Sequence, residues 1–103
     1  MLIIGPWNYP FHLCLQPLVS ALAAGNTAVL KPSEHAPATA ALLERLIGSA
    51  FEANTVQVVL GDGTAAADLL QERFDHIFFT GGERVGRLVM AAAAGLSLFM
   101  NNI

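Results

Sequence analysis

The sequence predicts an α/β fold built on a parallel β-sheet, with strands and helices in the order βαβαβαβα. Three observations lead there. Short β-type runs alternate strictly with apolar segments of helical length, the pattern of parallel strands joined by right-handed helical crossovers. The strand runs lack polar alternation, as strands covered on both faces do. Every polar or glycine-rich motif of interest falls just after a strand, where an open α/β sheet binds its ligands.

The first run, Leu2-Ile3-Ile4, ends at Gly5-Pro6. From Phe11 to Ala24 nearly every residue is apolar, which reads as a helix buried on most sides. Pro17 should kink it, and Gly25-Asn26 should stop it because both residues tolerate positive φ. Thr27 to Lys31 is the second strand, ended by Pro32. A second helix follows Ser33 or His35, with Pro37 in its first turn, where a missing N–H costs nothing. Its apolar face is Ala41, Leu42, Leu43, Leu46, Ile47 and Phe51, and Glu44, Arg45, Ser49 and Glu52 face water. Thr55 to Leu60 is the third strand, Gly61-Asp62-Gly63 a turn, and Thr64 the expected cap of a short helix reaching about Arg73. His76 to Thr80 is the fourth strand, and Gly81-Gly82 leads into a last helix over about Glu83 to Ala94.

Composition narrows the class. Of 103 residues, 54% are hydrophobic and 13% charged, against roughly 25% charged in ordinary soluble domains. That is more apolar side chain than one small globule hides, so the chain is either a membrane protein or the interior of something larger. No apolar run reaches the ~20 residues of a spanning helix. The best candidate, Val89 to Met100, is broken by Gly95 and Ser97. The start has no basic residue of the kind a signal peptide carries. The low charge excludes intrinsic disorder. Net charge is −3 and the basic residues are dispersed, which argues against nucleic acid as a partner. The single cysteine, Cys14, has no partner for an internal disulfide and fits a reducing, cytoplasmic compartment. Cysteine, histidine and carboxylates show no metal-ligand spacing.

Four motifs carry possible chemistry, each with a plainer alternative. Gly81-Gly82-Glu83-Arg84-Val85-Gly86 follows a strand and opens a helix, a place whose free N–H groups suit a phosphate. The plainer alternative is a tight turn. Arg87-Leu88 stands where a P-loop needs Lys and Ser or Thr, which argues against an ATPase. Gly61-Asp62-Gly63-Thr64-Ala65-Ala66 fits the G-x-G-x-x-A dinucleotide pattern, but no acid closes the next strand, and a simple turn is the better reading. Lys31-Pro32-Ser33-Glu34 puts a cation and a carboxylate at a strand end. The carboxylate can accept both hydroxyls of a ribose, or the segment is an ordinary solvated turn. Pro6-Trp7-Asn8-Tyr9-Pro10 holds an amide between two prolines, either as an oxyanion donor or as a rigid structural turn.

Taken together, these segments resemble the aldehyde dehydrogenase superfamily, especially its class 3 and fatty-aldehyde branch. The matching stretches are Gly5-Pro6-Trp7-Asn8-Tyr9-Pro10, Gln16-Pro17-Leu18, Ala23-Ala24-Gly25-Asn26, Leu30-Lys31-Pro32-Ser33-Glu34, and Phe74 to Gly81 with Val85-Gly86, in family order over about residues 1–94. The resemblance implies a Rossmann-like NAD(P)-binding domain over residues 1–94, incomplete at both ends, with residues 95–103 as a divergent carboxyl-terminal tail. It implies oxidation of an aldehyde to an acid with NAD or NADP. Asn8 would stabilise the oxyanion. Ile4, Pro6 and Trp7 would line the cofactor channel, and Lys31 and Glu34 would hold the adenosine ribose. Thr80, Gly81, Gly82 and Val85 would meet the pyrophosphate. Ser33 and Gly61 complete the expected cofactor-binding set. Many members have Ser where this chain has Gly82, so one side-chain phosphate contact would be replaced by backbone N–H groups.

The departures weigh on function. The family's catalytic glutamate lies beyond the last helix and its cysteine further on, and neither is found here. Cys14 lies in the first apolar helix, where a core thiol is inert. Two readings remain: a fragment of an NAD(P)-dependent aldehyde dehydrogenase, or a non-catalytic remnant that binds nucleotide weakly or associates with other chains. The apolar first helix leads us to expect self-association through exposed surface.

Overall fold

A computed structural model describes residues 1–93 and 97–102 of the chain. Strands β1 (Leu2–Ile4), β2 (Ala28–Lys31), β3 (Val56–Val58), β4 (His76–Gly81) and β5 (Ser97–Asn102) alternate with helices α1 (His12–Ala23), α2 (Pro37–Ala50), α3 (Gly63–Gln71) and α4 (Glu83–Ala92). All strand pairs are parallel and the spatial order is β3-β2-β1-β4-β5. The expected α/β alternation is therefore present. The fifth strand is an addition, formed by a short apolar run that only its pairing with β4 distinguishes from a loop.

The alternation of side chains along β1 divides the core in two. Leu2 and Ile4 join Ile77 and Phe79 of β4 on the face covered by Val89 and Ala93 of α4 and by Leu69 and Leu70 of α3. Ile3 turns the other way, onto Leu18 of α1 and Ile47 of α2, with Leu30 and Val56. The central strand β1 is buried on both faces and needs no polar residue, which explains its apolar run, whereas edge strand β3 exposes Gln57.

Two helices pack less completely than their sequences suggest. On α1 the buried residues are Cys14, Pro17, Leu18 and Ala21, while Val19 is 66% exposed, so the helix is covered on one face only. On α2 the buried stripe is Ala40, Leu43 and Ile47. Ala41, Leu42 and Leu46 lie outside it, because spacings of three and four residues select a narrower face than the full apolar set. Neither Ser33 nor His35 caps α2. Ala36 precedes it, with Pro37 in the first turn. The cap of α3 is Asp62, whose Oδ1 accepts the Thr64 N–H at 2.9 Å, rather than Thr64 itself.

The stop after α1 is a Schellman turn. Gly25 has φ 87°, its N–H donates to Leu22 O, and the Asn26 N–H donates to Ala21 O. A Cβ on Gly25 would meet nothing within 4 Å. Only the left-handed backbone opposes a side chain there. We expect Gly25→Ala to lower unfolding free energy by about 1 kcal/mol, and Gly25→Asn by less. Urea denaturation checks this, and equal stability of all three chains would mean that the turn is not held in solution.

Candidate functional site

The strand order reverses around β1, whose neighbours β2 and β4 lead their helices to opposite faces. A crevice opens at such a point beyond the carboxyl ends of the strands. The register sets Ile4 level with Lys31 on one side and with Phe79 on the other. The segments after these three residues therefore leave the sheet at one edge. They enclose a cleft of about 380 Å³.

Of the residues expected to act, Ile4, Pro6, Trp7, Asn8, Lys31, Ser33, Glu34, Thr80, Gly81, Gly82 and Val85 all line this cleft. Gly61 does not. It sits in the turn before α3 at φ 142°, with Ala65 Cβ 2.6 Å from where its own Cβ would be. That backbone conformation favours glycine, in keeping with the simple-turn reading. Gly63 and Ala66, two and five residues on, line the cleft in its place. Sequence reasoning also passed over His35, Gly5 and Phe79. Gly5 and Phe79 stood inside the stretches that carry the family resemblance, but no role was given to them. His35 adjoins the charged pair, and its place just beyond a strand end was the one signal that could have marked it.

A second hollow, of about 560 Å³, runs between α1 and β4. It shares Thr80 but holds neither Asn8, nor the Lys31 and Glu34 pair, nor either glycine turn. The smaller cleft is where the polar groups converge, so it is the candidate site.

Two buried polar atoms of the cleft have no partner: Asn8 Oδ1 and Thr80 Oγ1. Thr80 is 1% exposed. Buried polar atoms rarely go unpaired, and such a pair is a mark of a ligand site. Beside them Gly82 precedes α4 with no side chain capping the first turn, leaving the N–H groups and the helix dipole to an anion. The one acid in that turn, Glu83, is paired with Arg87 one turn on. A Cβ at Gly82 would meet nothing within 4 Å.

At the other end, Lys31 is 2% exposed and donates from Nζ to Pro32 O at 2.8 Å. Glu34 Oε2 lies 3.8 Å from that Nζ. Burial lowers the Lys31 pKa below its ordinary range, while Glu34 and then Asp62 act to raise it. Between the two ends runs the Trp7 to Pro10 loop. Tyr9 takes a left-handed conformation, φ 48°, at the position before Pro10, a strained arrangement for a non-glycine residue.

Cys14 lies against Gly5, just before this loop. Its Sγ stands where a Cβ on Gly5 would have to be, so only glycine fits there. Burial pushes the thiol up to about 11, with the Lys31 cation acting in the opposite sense. A thiol so placed is the reverse of an activated nucleophile. Among the described residues no group of three His, Cys, Asp or Glu side chains could hold a metal ion. No described helix is long and apolar enough to cross a membrane.

Comparison with known proteins agrees with this geometry. Residues 1–100 match the model of the aldehyde dehydrogenase family. A 4,4′-diapolycopene-4,4′-dial dehydrogenase of Cytobacillus firmus is 52% identical over 94 residues, which is 91% of this chain and 21% of that protein. The dimeric NADP-preferring aldehyde dehydrogenase of Rattus norvegicus is likewise 52% identical, over 91% of this chain and 21% of its own length. The substrate-bound structure of Staphylococcus aureus AldH superposes with a TM-score of 0.96 at 44% identity, over 98% of this chain and 22% of that one. The chain thus spans about a fifth of the length of the relatives it matches.

The raised Cys14 thiol has two measurable consequences. The folded state holds this proton more tightly than the unfolded chain. The stability so gained is complete below the ordinary thiol range and is lost as pH rises through about 11. At pH 8 the native thiol should also react with a maleimide roughly 100-fold more slowly than the urea-unfolded chain. Equal rates would show that Cys14 is open to solvent.

Proposed function

The chain belongs to the aldehyde dehydrogenase family, and on that premise we propose that it forms the NAD(P)-binding wall of an aldehyde-oxidising site. The observation that supports this reading is the convergence on one cleft of two unpartnered polar atoms, an uncapped helix start and a buried cation beside a carboxylate. The residues fit the cofactor at each end. Lys31 and Glu34 offer a donor and an acceptor to a ribose. The Gly81-Gly82 turn offers backbone N–H groups to the pyrophosphate. Asn8 and Thr80 have hydrogen-bonding capacity left over for polar groups at the reacting end. Nicotinamide dinucleotide, when bound, accepts the hydride that leaves the aldehyde carbon.

The unpartnered Oδ1 of Asn8 accepts from a donor elsewhere on the ligand, and the donor that Asn8 offers the substrate oxygen as its charge develops is its neutral Nδ2–H group. Such a donor, fixed in advance, is typically worth about 3–4 kcal/mol of barrier. Pro6 and Pro10 restrict the backbone on both sides of Asn8 and hold the amide in position. The nucleophile is not Cys14, the only cysteine of the chain, because its thiol is buried and protonated. A thiolate and a base for water must come from polypeptide outside these residues. We therefore expect no aldehyde oxidation above background from the 103 residues alone. NADH formation that Asn8→Ala abolishes and Cys14→Ala spares would overturn that expectation and keep the family assignment.

A reducing, cytoplasmic setting suits a chain whose one thiol is buried and unpaired. Val19, Leu88 and Met90 are exposed apolar residues on helix surfaces, and such surface favours association with other chains or copies. Light scattering of the purified chain should show oligomers. A monodisperse monomer at high concentration would remove this part of the reading.

Which glycine turn meets the pyrophosphate is open to direct test. A Cβ meets nothing within 4 Å at either Gly82 or Gly63, so neither position is closed to a side chain at its first atom, and circular dichroism checks that each variant is folded. We expect Gly82→Val to weaken NAD binding at least tenfold, about 1.4 kcal/mol, and Gly63→Val to weaken it much less. Titration followed by the fluorescence of Trp7, the sole tryptophan, reads both. The opposite order would move the pyrophosphate to the start of α3.

A further inference from the structure

The carboxylate that the ribose would meet is already held from two sides. Lys31 Nζ lies 3.8 Å from Glu34 Oε2, and His35 Nε2 lies 3.6 Å from Glu34 Oε1. The two basic side chains differ in freedom. Lys31 is buried and tied to Pro32 O. The His35 side chain is 74% exposed, yet it lines the same cleft. Its position is set by the turn: the His35 N–H donates to Ser33 Oγ at 3.1 Å, and the Ala36 N–H donates to Ser33 O. The other charged group acting on this corner is Asp62 at the start of α3, which faces Lys31.

A lone carboxylate at a ribose accepts the 2′ and 3′ hydroxyls and repels a 2′-phosphate. Here each oxygen of Glu34 has a basic side chain beside it, Lys31 at one and His35 at the other. We propose that His35 is a specificity-determining residue for the 2′ position of the nucleotide. Its imidazolium draws Glu34 toward itself and gives a 2′-phosphate a second cation beside Lys31. This inference rests on the cleft being a nucleotide site. It adds that the choice between NAD and NADP is set by His35, which stands outside the pairing of Lys31 with Glu34.

The test uses the full chain at about pH 6, where histidine is ordinarily charged, with adenosine 5′-phosphate and adenosine 2′,5′-bisphosphate as probes in calorimetric titrations. We expect His35→Gln to weaken the bisphosphate about threefold to fivefold, the range of an exposed ion pair, and to leave the monophosphate unchanged or tighter. His35→Arg should restore bisphosphate binding, and added salt should shrink the difference between variants. Equal weakening of both probes by His35→Gln would reduce His35 to a wall of the cleft and overturn the proposal. No change in either probe would overturn it too, with the nucleotide site intact. If neither probe binds the unsubstituted chain, the reading of the cleft itself falls, and the specificity role falls with it.

Discussion

β1 pairs with β2 on one side and with β4 on the other, Leu2 facing Val29 and Ile77, Ile4 facing Lys31 and Phe79. Right-handed crossovers then force α1 and α2 onto one face and α3 and α4 onto the other. Chain segments diverge where the two directions part, and the gap lies beyond Ile4. Handedness and strand order dictate the cleft before any side chain is specified. The register decides which residues border it. A slip of one residue in β2 would exchange Lys31 for a neighbour and turn the buried face of the strand outward.

That geometry explains why a cation can be buried at the rim. Lys31 ends β2 with its side chain sealed, and desolvation works against its charge. The Pro32 carbonyl at 2.8 Å and Glu34 offset part of that cost. A buried charge of this sort is a poor source of stability, because an apolar side chain of the same shape packs without desolvation loss. Its use is to present fixed polarity to something that enters. The same holds for Thr80 and Asn8, whose buried oxygens lack partners. Cys14 serves the opposite purpose. As a small apolar body under Gly5 it brings α1 close against the start of the loop that carries Asn8.

Most of this was legible in the sequence, and the residues show why. Strand ends were marked by Gly5-Pro6, Pro32 and Gly81-Gly82, where apolar runs stop for reasons of backbone chemistry. With alternating topology these stops had to fall on one edge of the sheet, so the cleft could be assembled without coordinates. What escaped depends on three-dimensional context. The shift from Gly61 to Gly63 turns on the φ of 142° at Gly61, which no spacing rule reports. The narrow buried stripe of α2 depends on how much sheet lies beneath it. β5 exists through pairing with β4, a nonlocal contact. His35 carries no motif, and only its distance to Glu34 sets it apart.

The two ends of the cleft are built by different parts of the sheet, and this separates affinity from chemistry. The Lys31 and Glu34 end belongs to β2 and the turn before α2, the Gly81-Gly82 turn to β4 and α4, and the amide of Asn8 to the loop after β1. On the reading proposed above, a change at Glu34 or His35 alters which nucleotide is preferred and leaves the loop that carries Asn8 in place. Because β1 lies between β2 and β4, the loop that carries Asn8 leaves from the middle of the sheet edge. Cys14 is buried against Gly5, at the start of that loop, and does not line the cleft. On the same reading, the cleft residues form one wall of a reaction site, and the thiolate is one that Cys14 does not supply.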